Sequence, residues 1–265
     1  MPELPEVEGY RALAEETALG RPISAVEAPD AWYLKRGLVA AEAASALLGR
    51  GFLAARRRGK LMMLDAGSTS AVDVVLGLHF GMSGRLIVDG RASLDRLLYA
   101  PAGDVTRHDR FTVRFSDGGW LTMRDARRLG SVELDPDEER LGPDALSATA
   151  ADLRAALADT DVALKARLLD QRRLAGIGNL IADEVLWRAS LAPARPCRSL
   201  SAGDLRRLHR HLHTGLIELI ERGGSHMGDL QPDRHPGGRC PRDQTELSRG
   251  VVGGRTTWWC PRHQR

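Results

Sequence analysis

Apolar residues recur at two different spacings along this chain, and the change of spacing divides it. Val7, Tyr10, Leu13 and Ala14 fall at helical intervals behind Pro5, a residue suited to a first helical turn, and Glu6 and Glu8 favour the positive end of a helix. The spacing predicts a helix over residues 5–19. From there to about residue 135 the pattern is one of short alternating runs, at 23–28, 61–65, 72–79, 85–88, 111–115 and 120–123, which predict strands. Ser116-Asp117-Gly118-Gly119 reads as a hairpin turn between two of them. Short strands without regular intervening helices predict a sandwich or barrel rather than a parallel sheet. After Gly142-Pro143 the helical period returns, with helices expected over 151–158, 164–171, 179–190 and 202–221. The last of these carries Leu205, Leu208, Leu212, Leu216 and Ile220 on one face, and Gly223-Gly224 should end it. Residues 235–265 are rich in Gly, Pro, Arg, Cys and Trp, too few to bury a core and so in need of a staple. The expected fold class is therefore α+β and multidomain, divided at 1–135, 136–230 and 231–265.

Composition narrows the class of molecule. With 265 residues and 43% apolar positions the chain can bury an ordinary core. Its longest apolar stretch, 71–80, is interrupted by Asp73 and His79 and falls far short of the roughly 20 residues a membrane span requires. The opening Met1-Pro2-Glu3-Leu4-Pro5-Glu6 is acidic where a secretory signal would be basic and then apolar, so the expected location is the cytoplasm. Three cysteines cannot build a disulfide framework, but Cys240 and Cys260 lie near histidines, which points to a metal. The net charge of +3 conceals an asymmetry: residues 161–265 hold 18 Lys and Arg against 11 Asp and Glu, a net of +7, leaving −4 for residues 1–160. The C-terminal part is the expected polyanion-binding half. Only Lys35, Lys60 and Lys165 among the 38 basic residues are lysine.

The N-terminus carries candidate chemistry. Removal of Met1 would give Pro2 a secondary amine, partly neutral near pH 7 and therefore nucleophilic. Attack on a sugar C1′ would form an iminium, an electron sink for later eliminations, and Glu3 is placed to shuttle protons. Glu6, one turn on, is a candidate support for that site.

The Pro2 to Glu8 string resembles the start of the formamidopyrimidine-DNA glycosylase and endonuclease VIII family, nearer its formamidopyrimidine branch, and the resemblance continues through nearly the whole chain in order. Arg58-Gly59-Lys60 is similar to the family's strand-entry lysine, and His79-Phe80-Gly81-Met82-Ser83-Gly84-Arg85 to its base-displacing turn. Asp125-Ala126-Arg127-Arg128-Leu129-Gly130 is similar to its opposite-base loop. Leu168-Leu169-Asp170-Gln171, Ala175-Gly176-Ile177-Gly178-Asn179 and Ala182-Asp183-Glu184 resemble its helix-two-turn-helix element.

The resemblance implies an N-terminal helix plus antiparallel β-sandwich catalytic domain, a helix-two-turn-helix domain and a C-terminal zinc-finger hairpin. It further implies a monomeric base-excision repair enzyme that acts on double-stranded DNA containing damaged bases or abasic sites, releasing the base and cutting the strand by β,δ-elimination. Pro2, Glu3 and Lys60 would be catalytic. Met82 would fill the space left by an extruded nucleotide, Arg127 would bond the orphaned base and Arg128 a phosphate. Leu129 stands where the family commonly has phenylalanine and would wedge by apolar contact alone. Asn179, at a helix start behind two glycines, would bind phosphate, with Lys165 and His79 along the same DNA channel and Arg255 reaching in from the finger. A non-catalytic damaged-DNA binder on the same scaffold is the alternative, against which the retention of Pro2, Glu3 and Lys60 argues.

Two departures stand out. The family finger usually has two Cys-x2-Cys pairs, whereas here the donors at the same spacing are Cys240, Asp243, Cys260 and His263, with His235 as a competing fourth ligand. Cysteine, histidine and aspartate are all zinc ligands, so one structural zinc is expected. Only Ser225 to Arg239 lies between Gly224 and Cys240, where purine-specific relatives usually carry a longer excursion that caps 8-oxoguanine. Its shortness points towards formamidopyrimidines, hydantoins or oxidised pyrimidines as substrates.

Overall fold

The computed structural model describes residues 2–93, 105–158 and 160–265. They divide into two compact units, one comprising Glu6–Glu138 with Pro2, the other Glu139–Arg265 with Glu3–Pro5.

The first unit is a sandwich of two antiparallel sheets. Helix α1 (Leu4–Thr17) contributes Val7, Tyr10, Leu13 and Ala14 to its core, as the helical spacing anticipates. Strand β1 (Ile23–Glu27) follows, then helix α2 (Ala40–Leu47), then β2 (Gly51–Arg58), β3 (Leu61–Gly67), β4 (Val74–His79), β5 (Arg85–Val88), β6 (Arg91–Ala92), β7 (Asp109–Phe115), β8 (Trp120–Arg124) and β9 (Ser131–Leu134). The sheet orders are β1-β7-β8-β5-β6 and β2-β3-β4-β9. Phe52, Met62, Leu64, Leu76 and Leu78 of one sheet share a core with Ile23, Leu86, Phe111, Val113, Leu121 and Met123 of the other. The turn at 116–119 closes as expected, Gly118 N donating to Phe115 O at 3.1 Å.

Helix α2 and strands β2, β6 and β9 escaped the alternation pattern, β6 being only two residues long. Helix α2 interrupts the strand region because five of its eight residues are alanine, the best helix former, although it buries only Ala43 and Leu47. Strands β2 and β9 are mostly half-buried, so their side chains lack a clean two-residue period.

The second unit is helical with a terminal hairpin. Helices α3 (Ala150–Leu157) and α6 (Ala202–Glu221) both start on capping boxes, Thr149 with Asp152 and Ser201 with Asp204. Helix α6 ends where Gly223 (φ 92°) turns the chain left-handed, with Gly223 N bonding Ile220 O at 3.1 Å and Gly224 N bonding Leu219 O at 2.8 Å. Between them lie α4 (Leu164–Leu168) and α5 (Asn179–Arg188). Helix α4 stops short of the expected residue 171 because the chain turns there: Gln171 Nε2 donates to Leu169 O and Ile177 O, and Gly176 N donates back to Gln171 Oε1. Leu4, Leu164, Leu168, Ile181, Leu208, Leu212 and Leu216 belong to this core.

Strands β10 (Ser248–Val252) and β11 (Arg255–Trp259) pair through a two-residue turn, Gly253-Gly254, both at positive φ. Residues 231–265, expected as a separate module, fall within the second unit but contribute most of a small core of Trp187, Leu230, Cys240, Leu247, Trp258 and Cys260. Trp258 packs there as apolar mass, and Trp259 is half-buried. Among the described residues no helix is long and apolar enough to cross a membrane.

Candidate active site and metal centre

In the first unit, the turn at residues 79–85 and the loop at residues 125–130 are held together by one buried carboxylate. Asp125, fully buried at the end of β8, accepts from the Ser83 hydroxyl and from the backbone N–H groups of Arg127 (3.0 Å), Leu129 (2.9 Å) and Gly130 (2.8 Å). An aspartate that bonds the N–H two residues on is an Asx turn, a signal available in the Asp-x-Arg sequence. Gly81 packs so closely on Leu129 and Gly130 that a Cβ there would overlap their backbone. The turn bearing half-buried Met82 and the loop bearing exposed Arg127, Arg128 and Leu129 are thereby brought side by side. Arg128, in the left-handed region at φ 57°, grips Asp30 with two N–H groups at 2.6 and 2.7 Å. That pairing lowers the pKa of Asp30 and means that Arg128, expected on a phosphate, is already engaged with a carboxylate. Asp30 itself had no signal in the sequence.

Lys60 occupies the turn between β2 and β3, and the register that pairs Leu61 with His79 places it next to the end of β4. His79 is solvent-exposed at its surface, yet the protein bulk around it desolvates the imidazolium and the Lys60 charge adds to that, so its pKa is lowered. Its Nδ1 accepts from Gly81 N at 3.3 Å, which requires the neutral ring nitrogen.

In the second unit, the start of α5 is occupied. Glu3, 1% exposed, places its two carboxylate oxygens on the N–H groups of Leu180 (2.9 Å) and Ile181 (3.1 Å). These are the free donors and the positive dipole end that the sequence reading assigned to an external phosphate. The anion there is the protein's own carboxylate. Asn179, half-buried, turns its Nδ2 to Thr256 O at 3.1 Å. Gly178 is required by proximity: its φ of −115° suits any residue, but a Cβ would overlap the Glu3 carboxyl group. Gly178→Ala is ordinarily a mildly stabilising type of change at such a φ. Here it should instead lower the unfolding free energy by about 1–3 kcal/mol through loss of the charge-assisted bonds, measured by urea titration.

Lys165 corrects an expectation. It was placed along a DNA channel, but its side chain is 0% exposed, with Nζ 2.7 Å from Asp183 Oδ1 and donating to Thr257 Oγ1 at 2.7 Å. Burial pushes its ammonium pKa down, opposed by Asp183. A cation with no route to solvent serves as an internal tie between α4, α5 and β11 rather than as a surface contact. Asp183 also accepts from Arg234 (2.8 Å) and Trp258 N (3.2 Å). Arg255, at the foot of the finger turn, is exposed.

The four C-terminal donors converge. One ligand atom from each of Cys240, Asp243, Cys260 and His263 lies within 4.8 Å of all the others. Cys240 Sγ is 3.6 Å from His263 Nδ1, Cys260 Sγ 3.5 Å from Asp243 Oδ2, and Asp243 Oδ2 3.5 Å from His263 Nδ1. Donors 2.0–2.3 Å from a tetrahedral ion sit roughly 3.3–3.8 Å apart, so these edges fit such a metal. The outer contacts agree: His263 Nε2 faces Trp187 O at 3.4 Å, and Thr245 N donates to Asp243 Oδ1, holding that carboxyl well below its usual pKa. His235 is exposed and bonds Pro236 O at 2.9 Å, outside the cluster. Asp243 is therefore the fourth donor.

Pro2 is buried two residues before α1; Met1, whose removal would free its nitrogen, lies outside the described residues.

Comparison with known proteins agrees with this arrangement. The sequence profile of the formamidopyrimidine-DNA glycosylase N-terminal domain matches residues 1–132, and that of the formamidopyrimidine-DNA glycosylase H2TH domain matches residues 141–230. The chain is 37% identical to a formamidopyrimidine-DNA glycosylase of Cereibacter sphaeroides, with 100% of each protein aligned. It is 36% identical to that of Thermus thermophilus, over 98% of this chain and 97% of that one. Among solved structures, Lactococcus lactis Fpg in complex with DNA containing an abasic site superposes with a TM-score of 0.81 at 28% identity, covering 99% of both chains. The same protein with DNA containing FAPY-dG gives 0.82 at 28% identity, covering 99% of this chain and 100% of that one.

Proposed function

The chain belongs to the formamidopyrimidine-DNA glycosylase family, and on that premise we propose that it excises oxidised bases from duplex DNA and then cuts the strand at the resulting abasic site. The observation that carries the reading is Glu3: a carboxylate adjacent in the chain to the Pro2 nitrogen and fixed by two backbone N–H groups. Once Met1 is removed, the Pro2 amine attacks C1′ of the damaged nucleotide as the glycosidic bond breaks and the base leaves, Glu3 supplying the proton needed at the ring oxygen or the base. The iminium so formed acidifies the sugar C2′ proton. Its loss expels the 3′ phosphate, a second elimination expels the 5′ phosphate, and hydrolysis returns the free amine.

Lys60 supplies a compact cation for a phosphate beside the reacting sugar. Met82 and Leu129 fill the vacated stack, Arg127 bonds the orphaned base, and His79, Asn179 and Arg255 contact the backbone. Arg128 joins them through whatever share of its guanidinium Asp30 leaves, while Lys165 contributes from the interior by holding the finger strand. The metal is zinc, one per chain, held by Cys240, Asp243, Cys260 and His263; bound there it supplies a structural cross-link and no chemistry. The preferred lesions are formamidopyrimidines, hydantoins or oxidised pyrimidines. The short segment after α6 supports this, because Asp229 N and Leu230 N are tied back to Glu184 at 3.1 and 2.9 Å, leaving little chain for a cap.

Borohydride reduction in the presence of an abasic-site duplex tests the mechanism. A covalent protein–DNA band is expected from native protein and none from a form that retains Met1, in which the Pro2 nitrogen is an amide. No band from protein with a sequenced N-terminal Pro2, despite tight binding, would move the non-catalytic reading into first place.

A further inference from the structure

The border of the opposite-base loop carries an aromatic group that the proposed chemistry leaves unused. Trp32 lies in the short helical turn Ala31–Tyr33 and is 67% exposed. A single exposed apolar side chain is ordinary on a protein surface, but the placement of this indole is specified by several bonds. Asp30 caps the turn by accepting from Trp32 N at 3.2 Å and, with the same carboxylate, grips Arg128. Tyr33, next along, donates to Asp125 at 3.4 Å, and Lys35 N donates to Val132 O at 2.9 Å. The segment 30–35 is thus stitched alongside 125–132 from end to end.

Lys35 completes the feature. Its ammonium lies 4.4 Å from the centroid of the Trp32 ring and donates to Trp32 O at 2.6 Å, leaving further ammonium donors for a phosphate. The loop itself, Arg127-Arg128-Leu129, offers cations and an aliphatic side chain that is 50% exposed, but no ring. Among the described residues Trp32 is the exposed ring on this border, with the Lys35 ammonium against its face and Arg128 held by the same Asp30 that caps its turn.

We propose that Trp32 and Lys35 form a DNA contact that extends the opposite-base loop, the indole packing on a base or sugar face of the duplex and Lys35 pairing with an adjacent phosphate. This rests on the DNA-repair reading above. A flat apolar face beside a cation suits nucleic acid, because every base presents a π-face and every linkage a negative charge.

The test is equilibrium binding of a fluorescent duplex carrying a tetrahydrofuran abasic analogue, across a salt series, for wild type, Trp32→Ala, Trp32→Phe and Lys35→Gln. Trp32→Ala is expected to weaken binding by about tenfold, within the range found for loss of one base–aromatic contact. Trp32→Phe should recover most of that loss, and Lys35→Gln should reduce the slope of log K against log salt by about 0.9. Melting temperatures check that the exposed side chain is not structural: a drop in Trp32→Ala that parallels the lost affinity would overturn the proposal. Wild-type affinity in all three variants would overturn it while leaving the repair reading intact. A wild-type protein that does not bind this duplex would overturn both.

Discussion

Glutamine in place of Glu3 is expected to slow base release from a formamidopyrimidine duplex by about 10²–10⁴-fold, the range typical of a lost general acid or base. The substitution is close to isosteric, so bulk is not the cause. A carboxylate accepts at both oxygens, as Leu180 N and Ile181 N require, whereas an amide presents an NH2 to one of those donors. Glutamine therefore loses both the exchangeable proton and the grip that aims it. Single-turnover kinetics on the intact lesion measure the first effect, and a thermal melt measures the second. Borohydride trapping on a preformed abasic site should be less impaired, since the base has already left. A variant with wild-type base release would remove Glu3 from the chemistry and return it to the role of a helix cap.

Removing the metal should have the other large effect. The core around Trp187, Leu230, Leu247 and Trp258 is too small to hold residues 235–265 by apolar burial alone. Free energies of about 10–16 kcal/mol are typical for structural zinc in finger peptides at neutral pH, and here that energy would hold the hairpin that carries Arg255. Cys260→Ala is expected to purify without zinc, to lose the near-ultraviolet signal of its packed tryptophans and to bind abasic duplex at least about tenfold more weakly. Asp243→Cys should retain zinc against chelator longer than wild type does, because thiolate is the softer and stronger donor. Elemental analysis that finds well under one metal per wild-type chain would sink this account.

The buried Lys165 and the occupied start of α5 show where reading along the chain stops short. Lysine is rarely buried and a helix start behind glycines usually offers free N–H groups, so surface roles for Lys165 and for the head of α5 are the ordinary inference. The Lys165 ammonium and the N–H groups of Leu180 and Ile181 are taken instead by partners far away in sequence. Glu3 is 177 positions from Leu180, and Thr257 is 92 from Lys165. Helix α2 was missed for a different reason, since its run of alanines carries propensity but only one large apolar residue, Leu47, to mark a buried face.

What the sequence determined by itself is whatever depends on near neighbours. Helix α6 matches its expected bounds and its glycine stop, and the turn at 116–119 forms where it should. The finger ligands keep a spacing that two short turns can bring to one ion. The full-length match in motif order likewise needs no coordinates. Only the tertiary structure decided that Asp243 and not His235 joins the donors, that Asp125 binds turn to loop, that Asp30 holds Arg128, and that Trp32 stands exposed beside them. Periodicity reports which face of an element is buried, but a polar group must find its partner wherever the folded chain provides one, and that choice is made by packing across the fold.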